Sequence, residues 1–482
     1  MLLAMIPHAR ETSTVSFPDG SWSLGQHQTC ELPAGYNAGV KWHVRALDLW
    51  LLGVSVLFCL AFWHWTKYVY IPANAAEVHA RKLPVGNNSD LYPRWLGARE
   101  LLLHGRDPYS AEITREIQMG FYGRPLDPNK ETDPRDKEAF AYPMWVVFLL
   151  APTVTLPFKV VVEIFRWILI SCIALSVPVW MYTMGFRLRP AIILSGVLLA
   201  LSSFPSLVEY YQQNLVAILV FLVAAATACV VRNWLVLAGF LLALATMKPD
   251  TCVLLIAWFL LWAFSNWRER QRLVWSFAAT TVLLVTMSEA TLPHWIPRFV
   301  VAVRDYSTYA TAPNILQLLF PSFLGILFSF LLLAFLFVLW FQWRTADATT
   351  LRFRWLLAWT CIVTLAVIPK HAAYNQLLLI PPFLMLLSQF RDFQRSGVIP
   401  RAFASTPFVC LLLQWLAAAI LSFSMMFGKR TLSPFAAELP DHIFLAIVPL
   451  TLLAMAAMTF LPARHQPTRA PIAVELLLFS GH

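Results

Sequence analysis

The sequence predicts an all-α, polytopic transmembrane helical bundle. Of the 482 residues, 59% are hydrophobic and only 13% are charged, and the mean hydropathy is +0.63. Soluble domains carry about 45–50% apolar and about 25% charged residues. One soluble core cannot bury this excess of apolar side chains, so the composition excludes a soluble enzyme.

The apolar residues fall into segments long enough to span a bilayer. The hydrocarbon layer is roughly 30 Å thick and needs about 20 apolar residues per helix. We therefore expect about twelve transmembrane helices, at 46–66, 160–184, 190–208, 214–231, 234–248, 250–265, 273–292, 322–342, 354–369, 375–390, 404–427 and 440–461.

The remaining segments set the predicted domain limits. The stretch 141–157 is short and contains three prolines, which favours a short re-entrant segment over a crossing. Residues 1–45 are polar and lack the features of a signal peptide, so we expect a cytoplasmic tail followed by an uncleaved first helix. The transmembrane domain is expected at 46–461 and a second cytoplasmic tail at 462–482.

A long hydrophilic loop is predicted at 69–140. Residues 71–140 contain 21 charged residues, with acids and bases nearly balanced. Within it, Leu91, Trp95, Ala98 and Leu102 recur at helical spacing, which predicts an amphipathic helix lying on the membrane surface, with Arg94 off the apolar face. The later part of the loop is rich in Pro and charge and is expected to be irregular and exposed.

The arginines predict the orientation. They recur at alternate helix junctions after residue 160, and cytoplasmic loops carry an excess of Lys and Arg. This arrangement places the 69–140 loop outside if 141–157 does not cross; if that segment crosses, the loop and the N-terminal tail exchange sides. The formal charge of +10 is then mainly an orientation signal rather than a sign of nucleic acid.

On the favoured topology, polar residues collect at the outer helix ends. Ionisable residues bordering a bundle are costly and suggest function, although wet helix ends explain some of them. This outer set mixes acids, amides, Lys and His, among them Glu209, Gln212, Asn214, Lys248, Asp250, Arg298, Lys370, His371 and Asn375. We expect a polar cavity on this side, covered by the long loop.

Several familiar motifs are absent. The chain contains no phosphate-binding loop of the GxxxxGK[ST] type, no HExxH and no GxSxG. The seven cysteines are scattered without a CxxC pair, so they predict neither a disulfide framework nor a metal site. Ser89 and Asp90 stand where a helix N-cap is expected, which is a purely structural role for them.

An ordered set of polar motifs remains. Asp90 is followed by a stretch ending in Gly-Arg-Asp-Pro-Tyr, and then come a Tyr-Pro pair, a Gln-x-Asn element and a Lys-Pro pair. The matching residues are Asp90, Ala98, Leu101, Leu102, Gly105, Asp107, Pro108, Tyr109, Tyr142, Pro143, Gln212, Asn214, Ala238, Gly239, Lys248, Pro249, Pro369 and Tyr374.

This order resembles the membrane-embedded class C glycosyltransferases, and most of all glycosyltransferase family 87, which uses polyprenyl-phosphate-linked mannose. The resemblance covers roughly 86–390. Three positions depart from the family pattern: Met144 replaces a second Pro, Tyr211 replaces a Gly, and Asn375 stands where the family often has His-Tyr or Tyr-Asp.

The resemblance implies an enzyme that transfers a hexose, with mannose expected, to a lipid or glycan acceptor in a single inverting displacement. Asp90 is the implied general base. An anionic leaving phosphate also needs cations, for which Lys248, Arg298, Lys370 and His371 are candidates. The other candidate substrate-binding residues are Arg94, Tyr142, Gln212, Asn214 and Tyr374; the two amides are equally suited to bonds between helices.

Expected partners are the lipid-linked sugar donor, its acceptor and membrane lipids. We expect the protein to lie in a bacterial inner membrane with its active site facing outward. No cofactor is indicated, although the acidic loop leaves room for a divalent metal. Two other classes remain open. A transporter or flippase of a lipid-linked or anionic solute would place charges deep in helices open to both sides in turn, whereas here they cluster near one side. A non-catalytic scaffold with the same fold is consistent with the three departures.

Overall fold

The computed structural model describes residues 46–80, 86–87, 89–127, 129–130, 133–186, 188–309, 313–369, 372–394, 398–427, 439–440, 443 and 446–460. Throughout these ranges the regular structure is helical and no strand occurs. The predicted all-α class is confirmed. The two predicted tails, 1–45 and 462–482, lie outside the described residues.

Nineteen α-helices with defined bounds follow one another in the described residues. In chain order they are α1 (Ala46–Trp65), α2 (Ile71–Ala80), α3 (Leu91–His104), α4 (Ala111–Tyr122), α5 (Val146–Leu150), α6 (Phe158–Thr183), α7 (Pro190–Leu201), α8 (Phe204–Gln212), α9 (Val216–Val231), α10 (Leu235–Ala245), α11 (Pro249–Ser265), α12 (Trp267–Thr291), α13 (Trp295–Tyr309), α14 (Ile315–Leu319), α15 (Ser322–Trp343), α16 (Leu351–Val367), α17 (Ile380–Gln394), α18 (Val398–Met426) and α19 (Ile447–Phe460). A π-helical turn, Thr66–Tyr70, joins α1 to α2, and 3₁₀ helices occupy Ala151–Thr153 and Ala373–Leu379.

Length and exposure identify a multi-pass membrane protein. Five helical segments are long and apolar enough to span a bilayer, and the pair α7–α8 would make a sixth. The apolar side of α15 is exposed, with Phe323 at 75% and Phe330 at 65%, as expected where lipid replaces water. The other predicted apolar segments also coincide with helices, but several are short, so the count of twelve crossings stays a prediction.

The predicted 69–140 loop is more ordered than expected. Its first part is helical, because α1, the π-helical turn and α2 form one segment of 35 residues. The predicted amphipathic helix exists as α3, but its faces do not divide as predicted: Arg94 and Glu100 are buried, whereas Leu102 is exposed. A second helix, α4, covers it. The prediction of an exposed polar face on α3 is therefore wrong.

The segment 141–157 packs beside α3. It contains only α5 and a 3₁₀ turn, eight helical residues spanning about 12 Å, against a bilayer core of about 30 Å. Both elements pack against α3. That the segment does not cross the membrane stays a prediction.

Side-chain contacts define two ends of the bundle. At one, which we call the arginine end, Arg189 pairs with Asp48 and Arg232 donates to the hydroxyl of Tyr182. At the other, the polar end, the region before α3 meets the C-terminus of α8. Helix α6 runs between them, since Phe158 touches Tyr92 of α3 and its last turn reaches the arginine end.

A break between α7 and α8 aims α8 at the polar end. The two helices are inclined by 58°. A break leaves backbone groups without helical partners, and α18 supplies them: Nε1 of Trp415 donates to the carbonyl of Ser202, and Oε1 of Gln414 accepts from the N–H of Phe204. Packing by α18 therefore stabilises the bend.

Candidate active site around Asp90

Asp90 immediately precedes α3 at the polar end. Its backbone N–H donates to the carbonyl of Gln212 at 2.7 Å, and its Oδ2 accepts from Nδ2 of Asn214 at 2.8 Å. The carboxylate makes no capping bond to α3, so helix capping does not account for it. A half-buried carboxylate oriented by an amide donor is a suitable general base.

Two neighbouring residues fix this geometry. The Ser89 hydroxyl donates to Oε1 of Gln213 at 3.1 Å, and Nε2 of Gln213 donates to the carbonyl of Val162 on α6 at 2.7 Å. Gln213 has a φ of 55°, a left-handed conformation that non-glycine residues seldom adopt without such support. Gln212, the predicted ligand, contacts Asp90 through its backbone, and Gln213 supplies the linking side chain.

Arg94 is buried beside Asp90, with only 3% of its surface exposed. Its Nη1 donates to the Asp90 carbonyl, and the guanidinium lies 4.1 Å from the ring centroid of Tyr142. Burial lowers the pKa of Arg94, but the combined effect of Tyr142, Asp90, Tyr374 and Glu209 raises it by more, so its pKa lies above its ordinary value. The site therefore keeps a permanent positive charge, and the predicted pair of Arg94 and Tyr142 is brought together.

Lys248 adds a second cation. It directly precedes α11, and its side chain is 13% exposed. Its Nζ lies 3.6 Å from Oδ2 of Asp250 and 5.4 Å from the ring centroid of Tyr374. Tyr374 is buried in the Ala373–Leu379 helix and interacts electrostatically with Asp90. Five distant sequence motifs thus converge at the polar end.

Glu209 is a buried acid in the same cluster. It is fully buried on α8, and its Oε1 accepts the N–H of Ala217 at 2.9 Å. The charged groups that act on it are Lys248, Arg94 and Asp90. The sequence pattern groups Glu209 with the polar helix ends without giving it a role. The sequence does contain one indication of such a role: Glu209 is the only carboxylate in the otherwise apolar span 190–212.

Of the other predicted residues, Arg298 lies apart from the cluster. Nη1 of Arg298 pairs with Oδ2 of Asp107 at 2.7 Å, in the turn before α4. That turn reaches the site indirectly, since the Tyr109 hydroxyl donates to the Tyr142 carbonyl at 2.7 Å. Arg298 therefore holds the turn, rather than adding to the Arg94 and Lys248 charges. Lys370 and His371 lie outside the described residues.

A groove of about 1560 Å³ adjoins the site between α2, α6 and α8. Its apolar wall includes Trp63, Phe158 and Leu207, while Lys159 and Arg166 of α6 lie along it. The lining reaches Ser89 and Gln213, one residue short of Asp90 and Asn214. The lining also includes Glu77 and Glu163, and Glu163 pairs with Arg166 at 2.7 Å. A groove with an apolar wall and the cation Lys159 suits a lipid that carries a phosphate.

Comparison of the chain with protein-family models, with curated protein sequences and with solved structures found no match. In the described part of the chain, no group of three or more His, Cys, Asp or Glu side chains is arranged to hold a metal ion.

Proposed function

We propose that the protein is a membrane-embedded glycosyltransferase that moves a hexose, mannose in the first instance, from a polyprenyl-phosphate donor to a lipid or glycan acceptor. The observation that carries this proposal is the Asp90 carboxylate, held by Asn214 and contacted at its backbone by the buried cation Arg94, while Lys248 acts on Glu209 of the same cluster. A carboxylate close to two cations, with Glu209 and Asp250 as further acids, suits a reaction that removes a proton and releases a phosphate.

The chemistry is a single displacement. Asp90 accepts the proton of an acceptor hydroxyl, and the acceptor oxygen forms a bond to the anomeric carbon of the sugar. The bond between that carbon and the phosphate oxygen breaks, polyprenyl phosphate leaves, and the anomeric configuration inverts. Arg94 and Lys248 stabilise the charge that develops on the leaving phosphate, and the adjoining groove receives the lipid chain.

The proposed orientation places the polar end outside the cell. Its support is the contrast between the two ends of the bundle, because Arg189 and Arg232 mark the opposite end and basic loops remain in the cytoplasm. The proposed location is a bacterial inner membrane. In intact cells, a cysteine introduced at the exposed Lys130 is expected to react with a membrane-impermeant maleimide. Reaction only after permeabilisation would reverse the orientation.

Purified protein in liposomes tests the activity. Wild type is expected to transfer radiolabelled mannose from polyprenyl-phosphate mannose to a lipid acceptor extract. Asp90→Asn should reduce the rate by about 10²–10⁴-fold, the usual contribution of a general base. Asp305→Asn, at an exposed carboxylate on α13, is the matched control and should retain activity. Full activity of Asp90→Asn rejects the assigned base, and movement of intact donor between leaflets without transfer would favour a transporter.

A further inference from the structure

Three buried oxygen atoms at the site have no hydrogen-bond partner among the described residues. They are Oε2 of Glu209, Oδ1 of Asn214 and Oδ1 of Asn375. Each of these residues is at most 2% exposed. Buried polar atoms are nearly always paired in folded proteins, so a group of unpaired ones needs an explanation.

The three residues belong to the elements that meet at Asp90. Asn214 donates to Asp90 through its other amide atom, and the charge of Asp90 acts on Glu209. Asn375 follows Tyr374 in the 3₁₀ helix, and that helix packs against α8, which carries Glu209. Asn214 is therefore bonded directly to the carboxylate that we propose as the base, and Glu209 and Asn375 belong to elements that pack against each other beside it.

The chemistry of these atoms selects the ligand. The oxygens of Asn214 and Asn375 are acceptors, Oε2 of Glu209 belongs to a carboxyl group, and Nε of Arg94 is an unpaired donor. Such a set matches a ligand whose groups both donate and accept hydrogen bonds. A phosphate diester offers only acceptors, whereas each hydroxyl of a sugar donates one bond and accepts others.

We propose that Glu209, Asn214 and Asn375 form the glycosyl subsite, in which Glu209 forms a hydrogen bond with one sugar hydroxyl and determines which sugar is transferred. This inference rests on the proposed function. It divides the site into two parts: Arg94 and Lys248 bind the phosphate, and the three acceptors bind the sugar. A site built to bond a hydroxyl strongly rejects an analogue that lacks it, because the buried acceptor is then left unpaired.

The test compares polyprenyl-phosphate mannose with analogues in which each sugar hydroxyl in turn is replaced by hydrogen. For the wild type in liposomes, kcat/KM should fall about 10- to 100-fold for one analogue, the cost of leaving a buried polar group without its hydrogen bond. In Glu209→Gln, the ratio of kcat/KM for the natural donor to kcat/KM for that analogue should shrink to a few-fold. The corresponding ratios for the other analogues should stay at their wild-type values. Because the ratio compares two donors on one preparation, a partly unfolded variant does not disturb it.

A matched control and a second variant complete the design. Glu289→Gln alters a carboxylate whose Oε1 also accepts a backbone N–H, that of His294 at 2.7 Å, and should leave every ratio at its wild-type value. Asn375→Ala should reduce discrimination at a different hydroxyl from Glu209→Gln.

Each remaining outcome overturns the inference. Equal ratios in wild type and Glu209→Gln, with wild-type transfer intact, reject the sugar contact while leaving the proposed function standing. Activity that is lost on chelation and restored by Mg²⁺ or Mn²⁺ in wild type, but not in Glu209→Gln, assigns the three oxygens to a cation. Absence of any transfer by wild type rejects the proposed function and the inference together.

Discussion

Replacing Lys248 by methionine should remove most of the stabilisation of the leaving phosphate. The donor phosphate carries one negative charge before the reaction and gains another as its bond to the sugar breaks. A cation about 4 Å from this additional charge contributes about 4 kcal/mol at an effective dielectric constant of 20. That corresponds to about 10³-fold in rate, close to the 10²–10³-fold lost when one oxyanion donor is removed from other enzymes.

Asp250 offsets only part of this contribution. Its carboxylate lies 3.6 Å from Nζ of Lys248, but its side chain is 51% exposed. Pairs with an exposed member contribute about 0–1 kcal/mol, which is small beside 4 kcal/mol. We therefore expect kcat to fall by about 10²–10³-fold in Lys248→Met, and by less than about 10-fold in Lys248→Arg, which keeps the charge.

Steady-state transfer kinetics in liposomes provide the measurement. The matched control is Lys67→Met, since Lys67 is also stacked on a tyrosine, with Nζ 5.0 Å from the ring centroid of Tyr68, but is exposed. Its kcat should be unchanged. A Lys248→Met variant with wild-type kcat, or one that raises KM without lowering kcat, would refute the assignment of Lys248 to the leaving group.

Two further predictions concern the fold. Nη1 of Arg189 contacts both carboxylate oxygens of Asp48, at 2.9 and 2.8 Å, and a double-mutant cycle should give about 1–2 kcal/mol of coupling, because Arg189 is 37% exposed and thus partly screened. Exchanging the two residues, by Asp48→Arg with Arg189→Asp, should recover most of the unfolding temperature lost in the single variants. Additive effects of the two single variants would contradict the contact. Arg124 and the Asp127 N–H lower the pKa of Asp133 below its ordinary 3.8, so this carboxylate stabilises the loop above that pH, and the contribution is lost as pH falls from there toward the lowered pKa. Amide protection factors at 133 and 135–138, which correct for the slower intrinsic exchange in acid, should fall as pH is lowered from about 5 to about 2 in wild type but be low throughout in Asp133→Asn.

Hydropathy alone predicted most of the fold. The helical class and the positions of the apolar segments follow from the bilayer's demand for internally bonded backbone. The burial of Arg94 and Glu100 on α3 could not be predicted in this way. Helical spacing shows which residues share a face of a helix, but not how many of its faces other elements cover. Once α4 and α5 pack on α3, Arg94 becomes a buried cation stacked on Tyr142.

Motif order predicted part of the site, and the reason for the limit is physical. Asp90, Asn214 and Lys248 lie in motifs that a linear pattern can find, and the structure brings them together. Gln213 is fixed by its left-handed backbone and its bond to Val162, and neither leaves a mark in sequence. The pairing of Arg298 with Asp107 likewise depends on how α13 meets a turn 191 residues earlier.

The break between α7 and α8 makes the site sensitive to a helix that contributes no residue to it. Gln414 and Trp415 of α18 hold the first residues of α8, and Glu209 and Gln212 follow within three turns. A shift of α18 would move the start of α8, change the tilt of that helix and so displace Glu209 and Gln212 near its other end. Variants that alter turnover without touching substrate should therefore be sought in α18, and random mutagenesis for activity ought to recover that helix alongside the site itself.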